Sequence, residues 1–141
     1  MLETRKLDLD KMTANISASV QTDTGCVREA NEDSGRHVAP NDIQVRLRKG
    51  TLTIVADGMG GHAAGEVASE MAVQIVQREL AGVKNLDGDD VVKLVSAALK
   101  RANRAIHDRT ITEVDKQGMG TTASVLVVSG SRYLIGQVGD S

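Results

Sequence analysis

Residues 64–111 read as two consecutive amphipathic helices, and runs with strand character flank them on both sides. That order excludes the strand–helix alternation of a parallel doubly wound sheet and predicts an α+β fold with largely antiparallel pairing. In the first helix, Ala64 to Ala81, residues Val67, Met71, Ile75 and Val76 recur at helical spacing, while Glu70, Gln74, Arg78 and Glu79 face outward. Gly82 is the expected stop. Asp89 or Asp90 is the expected cap of the second helix, Val91 to Ile111, whose stripe is Val92, Val95, Leu99, Ala102 and Ile106.

Several strands are expected before the helices. Residues 16–22 alternate, with Ile16, Ala18 and Val20 on one face. Residues 34–39 form a short strand stopped by Pro40. Ile43, Val45 and Leu47 alternate with Gln44, Arg46 and Arg48, which predicts an outer strand. Lys49-Gly50 then turns the chain into Leu52-Thr53-Ile54-Val55-Ala56, an apolar run of the kind buried on both faces. Beyond the helices, 121–128 and 132–138 are expected strands around a Ser129-Gly130-Ser131 turn. Residues 1–14 are polar and aperiodic and read as a tail. Residues 15–141 read as one domain.

Composition narrows the function. With 141 residues, 40% hydrophobic and 26% charged, the chain can bury a core. Tyr133 is its one aromatic residue, so no stacking platform for RNA or single-stranded DNA exists. A net charge of -2 leaves no basic surplus for nucleic acid. No apolar run approaches a membrane span, and the N-terminus does not read as a secretory signal. One cysteine, Cys26, permits no internal disulfide, which fits a reducing compartment, and a cytoplasmic protein is the expectation. Neither a nucleic-acid nor a membrane partner is expected.

Three constellations can carry chemistry. Arg28 followed by Glu32-Asp33 can join a phosphate-binding guanidinium to carboxylates suited to Mg²⁺ or Mn²⁺, although charged loop residues are commonly just solvated. Asp57-Gly58 stands at the end of the apolar run, where an unpaired charge is costly and a metal is one partner; a simple Asp-Gly turn is the bland alternative. Gly58-Met59-Gly60-Gly61-His62-Ala63 formally fits a dinucleotide fingerprint. Asp57 beside a pyrophosphate and the absence of a following parallel strand count against that reading. No Gly-Lys-Ser/Thr occurs, which excludes a phosphate-binding P-loop. His62 reads as a structural hydrogen-bonder, His37 and His107 as surface residues, and Cys26 as inert. Asp87, Asp89 and Asp90 lack the spacing of a Ca²⁺ loop.

Together these segments resemble the metal-dependent serine/threonine protein phosphatases of the PP2C (PPM) family, in the bacterial form. The matching stretches are TGCVREANEDS at 24–34, VADGMGGHAAGEVAS at 55–69, GMGTTA at 118–123 and VGDS at 138–141. The resemblance implies a β-sandwich of antiparallel sheets flanked by helix pairs, and a binuclear site of two Mg²⁺ or Mn²⁺ ions that activates water to hydrolyse phosphoserine and phosphothreonine. By position, Asp57 would bridge the metals. Glu32 and the Gly58 carbonyl would serve one of them, Asp33 would lie in its outer shell, and Arg28 would bind the phosphate. The implied partners are a phosphorylated protein substrate and a cognate serine/threonine kinase. Met59 stands where animal members have the His presumed to protonate the leaving group. The family extends beyond Gly-Asp-Ser with further metal-ligating aspartates, so the expectation is the N-terminal half of the domain, truncated on its C-terminal side. A catalytically inactive regulatory module is the alternative; a dinucleotide-binding domain ranks third.

Overall fold

The computed structural model describes residues 3–6, 16–42, 45–46, 50–61, 63–83 and 90–141. The element order is β1 (Glu3–Lys6), β2 (Asp33–Val38), β3 (Thr51–Met59), α1 (Ala64–Ala81), α2 (Val91–Thr112), β4 (Gly120–Thr121), β5 (Ala123–Ser129) and β6 (Arg132–Val138), with a short 3-10 turn at Val114–Lys116. The strands form one antiparallel sheet in the order β1-β6-β5-β3-β2, and β4 pairs with the end of β3. The α+β class and the two successive helices are as the sequence predicts.

Both helices pack on one face of the sheet. Ile54 and Ala56 of β3, Val125 and Val127 of β5, and Leu134 of β6 meet Ala68, Ala72 and Val76 of α1 in a single core. Val91, Val95, Ala98, Ala102 and Ile106 complete it from α2. The large residues expected to lead the α1 face are not all at its centre. Val67 and Met71 are only partly buried, whereas Ala64, Ala68 and Ala72 are buried. Alanines bring the helix axis close to the sheet, so a core without rings still closes. Gly82 ends α1 in an ordinary right-handed conformation, and Asp90 precedes α2 without a side-chain cap bond. Asp87 and Asp89 lie outside the described residues.

Four expectations change. First, residues 16–22 are not a strand; Val20 instead lies over the sheet, its Cγ1 2.8 Å from where a Cβ on Gly35 would stand. Second, Val45 and Arg46 are helical, with Arg46 N–H donating to the Asp42 carbonyl at 2.9 Å and the Asp42 carboxylate accepting from Val45 N–H at 3.0 Å. An aspartate at the start of the segment offers its backbone a helical start that alternation alone does not reveal. Residues 43–44 and 47–49 lie outside the described residues. Third, an outer strand at 43–48 paired with the apolar run does not form among the described residues; the sheet neighbours of β3 are β2 and β5, and β3 is longer than the apolar run. Its burial alternates, and Val55 is 52% exposed, so it is not covered on both faces. Fourth, part of the polar lead-in is structured, because Glu3–Lys6 pairs with β6 as an edge strand.

Candidate active site

The site forms where β2 begins and β3 ends. The β2–β3 register places Asp33 directly opposite Asp57, on the sheet face away from the helices. Cross-strand neighbours of like charge repel. Burial, the facing Asp57 carboxylate and a side-chain hydrogen bond shared with it push the Asp33 carboxyl above the ordinary aspartate range; Arg28 opposes the shift and Glu32 adds to it.

Glu32 precedes Asp33 at the entry to β2. Its carboxylate accepts from Arg28 Nη1 at 3.2 Å, with 17% of the Glu32 side chain exposed against 65% of Arg28. Its carbonyl accepts from Gly58 N–H at 3.0 Å, which ties the β2 entry to the β3 end. Asn31 sets the approach: its Oδ1 accepts from Asp33 N–H at 3.0 Å and its Nδ2 donates to Thr22 Oγ1 at 2.7 Å. Arg28, Glu32, Gly61 and Ala63 line an open depression beside the carboxylates. Gly60, at a φ of 125°, turns the chain from β3 toward α1 in a conformation few other residues adopt.

Asp57 is held by its main chain. Its N–H donates to Thr122 Oγ1 at 3.1 Å, while its carbonyl accepts from Thr122 N–H at 2.9 Å and Thr121 Oγ1 at 3.0 Å. Thr122 is buried and also hydrogen-bonds Ser141 Oγ at 2.6 Å. Thr122 and Asn31 are supports that composition and spacing do not single out. The signal for Thr122 was present in GMGTTA, since a polar residue entering a strongly apolar strand needs a partner.

The structure thus brings Arg28, Glu32, Asp33, Asp57 and Gly58 into one place. His37 is elsewhere on β2, with Nδ1 2.8 Å from Thr53 Oγ1, and His107 lies on α2. Cys26 is an exposed free thiol. His62 lies outside the described residues. Three carboxylates against one guanidinium leave a surplus of negative charge, and their oxygens suit a hard divalent cation. Among the described residues no three His, Cys, Asp or Glu side chains enclose an ion. The oxygens of Glu32, Asp33 and Asp57 fit such a cation in kind, but they do not by themselves form a complete shell.

The antiparallel sheet thus gathers three carboxylates beside one arginine at the open end of β2 and β3. The chain belongs to the protein phosphatase 2C family, whose sequence model matches residues 9–141. It is 36% identical over 129 residues to the serine/threonine phosphatase stp of Listeria monocytogenes, covering 89% of this chain and 48% of that protein. It is 35% identical over 135 residues to the serine/threonine protein phosphatase PstP of Mycobacterium tuberculosis, covering 93% of this chain and 23% of that one. The PstP catalytic domain in complex with two manganese ions superposes with a TM-score of 0.68 at 32% identity, over 100% of this chain and 48% of that chain. The S. agalactiae serine/threonine phosphatase does so with a TM-score of 0.74 at 28% identity, over 100% and 50%. The chain spans about half the length or less of these relatives. No helix among the described residues is long and apolar enough to cross a membrane.

Proposed function

We propose that this chain carries the first half of a metal-dependent phosphatase centre that hydrolyses phosphoserine and phosphothreonine in proteins. The observation that carries the reading is the facing pair Asp33 and Asp57, flanked by Glu32 and Arg28, in a chain of the protein phosphatase 2C family. In this reading Asp57, Glu32 and the Gly58 carbonyl hold two Mg²⁺ or Mn²⁺ ions, and Asp33 acts from the outer shell. Bound ions of this kind supply an acidified water and neutralise phosphoryl oxygens.

The chain's own residues position the reaction. Asp57 sits at the end of a central strand with both main-chain groups bonded, so its carboxylate starts from a fixed backbone. Arg28 spends one donor on Glu32; its remaining guanidinium donors orient the substrate phosphate. Met59 offers no proton, so the leaving group takes its proton from water. A phosphorylated protein is the substrate, and the serine/threonine kinase that phosphorylates it is the functional partner. The lone exposed thiol of Cys26 suits a reducing compartment, and we place the protein in the cytoplasm.

The test is hydrolysis of a phosphothreonine peptide by a complete phosphatase domain that contains these residues, with Mn²⁺, with Mn²⁺ plus chelator, and in an Asp57→Asn variant. Turnover only in the first condition supports the reading. Turnover that survives the chelator or the substitution refutes it. A second reading, a catalytically silent regulatory module, draws on the incomplete donor set among the described residues. It predicts a folded protein without turnover at any Mn²⁺ concentration.

A further inference from the structure

We infer that Gly65 is a positioning residue for Glu32: the side chain it lacks sets where the Glu32 carboxylate lies. The inference rests on the metal-site reading above. Gly65 is the second residue of α1 and is buried. Glycine is a poor helix former, and propensity gives no reason for it in this first turn. Space does. A Cβ at Gly65 would stand 2.6 Å from Glu32 Oε1, 2.8 Å from Glu32 Cδ and 3.0 Å from the Gly58 carbonyl carbon. These separations are closer than carbon and oxygen tolerate, so the carboxylate occupies the volume an alanine methyl would fill.

Glu32 is held by two further contacts, while its carboxylate still borders the open depression. Its Oε2 accepts from Arg28 Nη1 at 3.2 Å, and its carbonyl accepts from Gly58 N–H at 3.0 Å. Gly58 is itself bare for the same reason, because a Cβ there would run into the Gly65 carbonyl oxygen. The Glu32 and Gly65 carbonyls therefore both approach the space where a Gly58 side chain would stand. The Glu32 backbone is fixed by Gly58, so a methyl at position 65 must move the carboxylate rather than the strand. The two carboxylate oxygens are set by different neighbours, Arg28 by attraction and Gly65 by permitted approach. Such placement of a ligand by a residue that never touches the metal is the role an outer shell plays.

The test compares four forms of the purified protein: wild type, Gly65→Ala, Glu32→Ala and the double variant. Each is melted without metal and titrated with Mn²⁺ by calorimetry. Gly65→Ala is expected to lower the metal-free Tm and to weaken Mn²⁺ binding by about tenfold or more. In the Glu32→Ala background the same glycine replacement is expected to cost far less Tm, because the clashing carboxylate is gone. If Gly65→Ala alone does not fold, recovery of a folded double variant supports the inference. An equal Tm loss in both backgrounds, or a double variant that also fails to fold, overturns it, since Gly65 would then serve only the Gly58 backbone. A wild type that binds no Mn²⁺ refutes the metal-site reading instead, while the melting comparison still judges the Gly65–Glu32 contact.

Discussion

The hydroxyl of Thr122 accepts the main-chain N–H of Asp57 at 3.1 Å, joining residues 65 apart in the chain. The same threonine returns its own N–H to the Asp57 carbonyl at 2.9 Å. A buried hydroxyl in a reciprocal pair of this kind is expensive to delete, because the Asp57 N–H is left without its acceptor. Thr122→Val is expected to lower unfolding stability by about 1–3 kcal/mol in urea titrations, with a parallel loss of Mn²⁺-dependent hydrolysis. Thr122→Ser, which keeps the hydroxyl, is expected to restore most of both. A valine variant with wild-type stability and turnover would show that the bond does not matter.

Metal binding is expected to stabilise the fold. A ligand that binds only the native state at 100 times its Kd adds about 2.7 kcal/mol, which in a domain of this size is a rise of several degrees in Tm. Mn²⁺ is expected to raise the Tm of the wild type and to leave Asp57→Asn nearly unmoved. Differential scanning calorimetry with and without Mn²⁺ reads both. An equal rise in the two proteins would mean that the ion binds elsewhere.

The C-terminal end of α2 carries a pH-dependent contact. Arg109 Nε donates to Glu113 Oε1 at 2.7 Å and its Nη2 to Oε2 at 3.1 Å, a bidentate fork. The hydrogen bonds from Arg109 hold the Glu113 carboxyl below its ordinary value of 4.5, which means the folded state favours the carboxylate. The stabilisation is present above that ordinary value and is lost as pH falls through the lowered folded value. Wild type is expected to melt above Glu113→Gln at neutral pH, with the gap closing in acid and narrowing in high salt. A gap that persists unchanged at low pH would assign the difference to packing.

The alanine face of α1 predicts its own intolerance. Ala68 is fully buried between the helix and the sheet. Ala68→Leu adds three carbons at this fully buried contact and is expected to cost about 1–3 kcal/mol, measured by denaturant unfolding. Exposed Gln74→Leu on the same helix serves as the control, and equal effects would mean that α1 is not tightly seated.

The sequence made the helices plain because their apolar residues recur at helical spacing over long stretches, and α1 begins and ends where that spacing does. The strands were harder. Residues 16–22 alternate well, yet alternation states only which side is apolar, not whether a ladder partner is available. Residues 43–48 alternate too, but the Asp42 carboxylate and carbonyl offer local bonds that draw Val45 and Arg46 into a helical turn. Such local competition is invisible to a period count. The site was more legible than the sheet, since Arg28, Glu32, Asp33 and Asp57 stand in motifs and meet in space. What the motifs could not convey is the support: Thr122 and Gly65 act through a backbone bond and an absent side chain, and neither carries a chemical label.

The distance in sequence between Asp57 and Thr122 has a consequence for synthesis. At a translation rate of about 5–20 residues per second, the 65 residues from the one to the other take roughly 3–13 s to appear. During that interval β3 can pair with β2 but has no β5, and the Asp57 main chain has no anchor. The nascent chain can therefore set Asp33 opposite Asp57 before the two bonds to Thr122 that fix the Asp57 backbone exist, and the like charges of that pair face each other on a strand still open along its other edge.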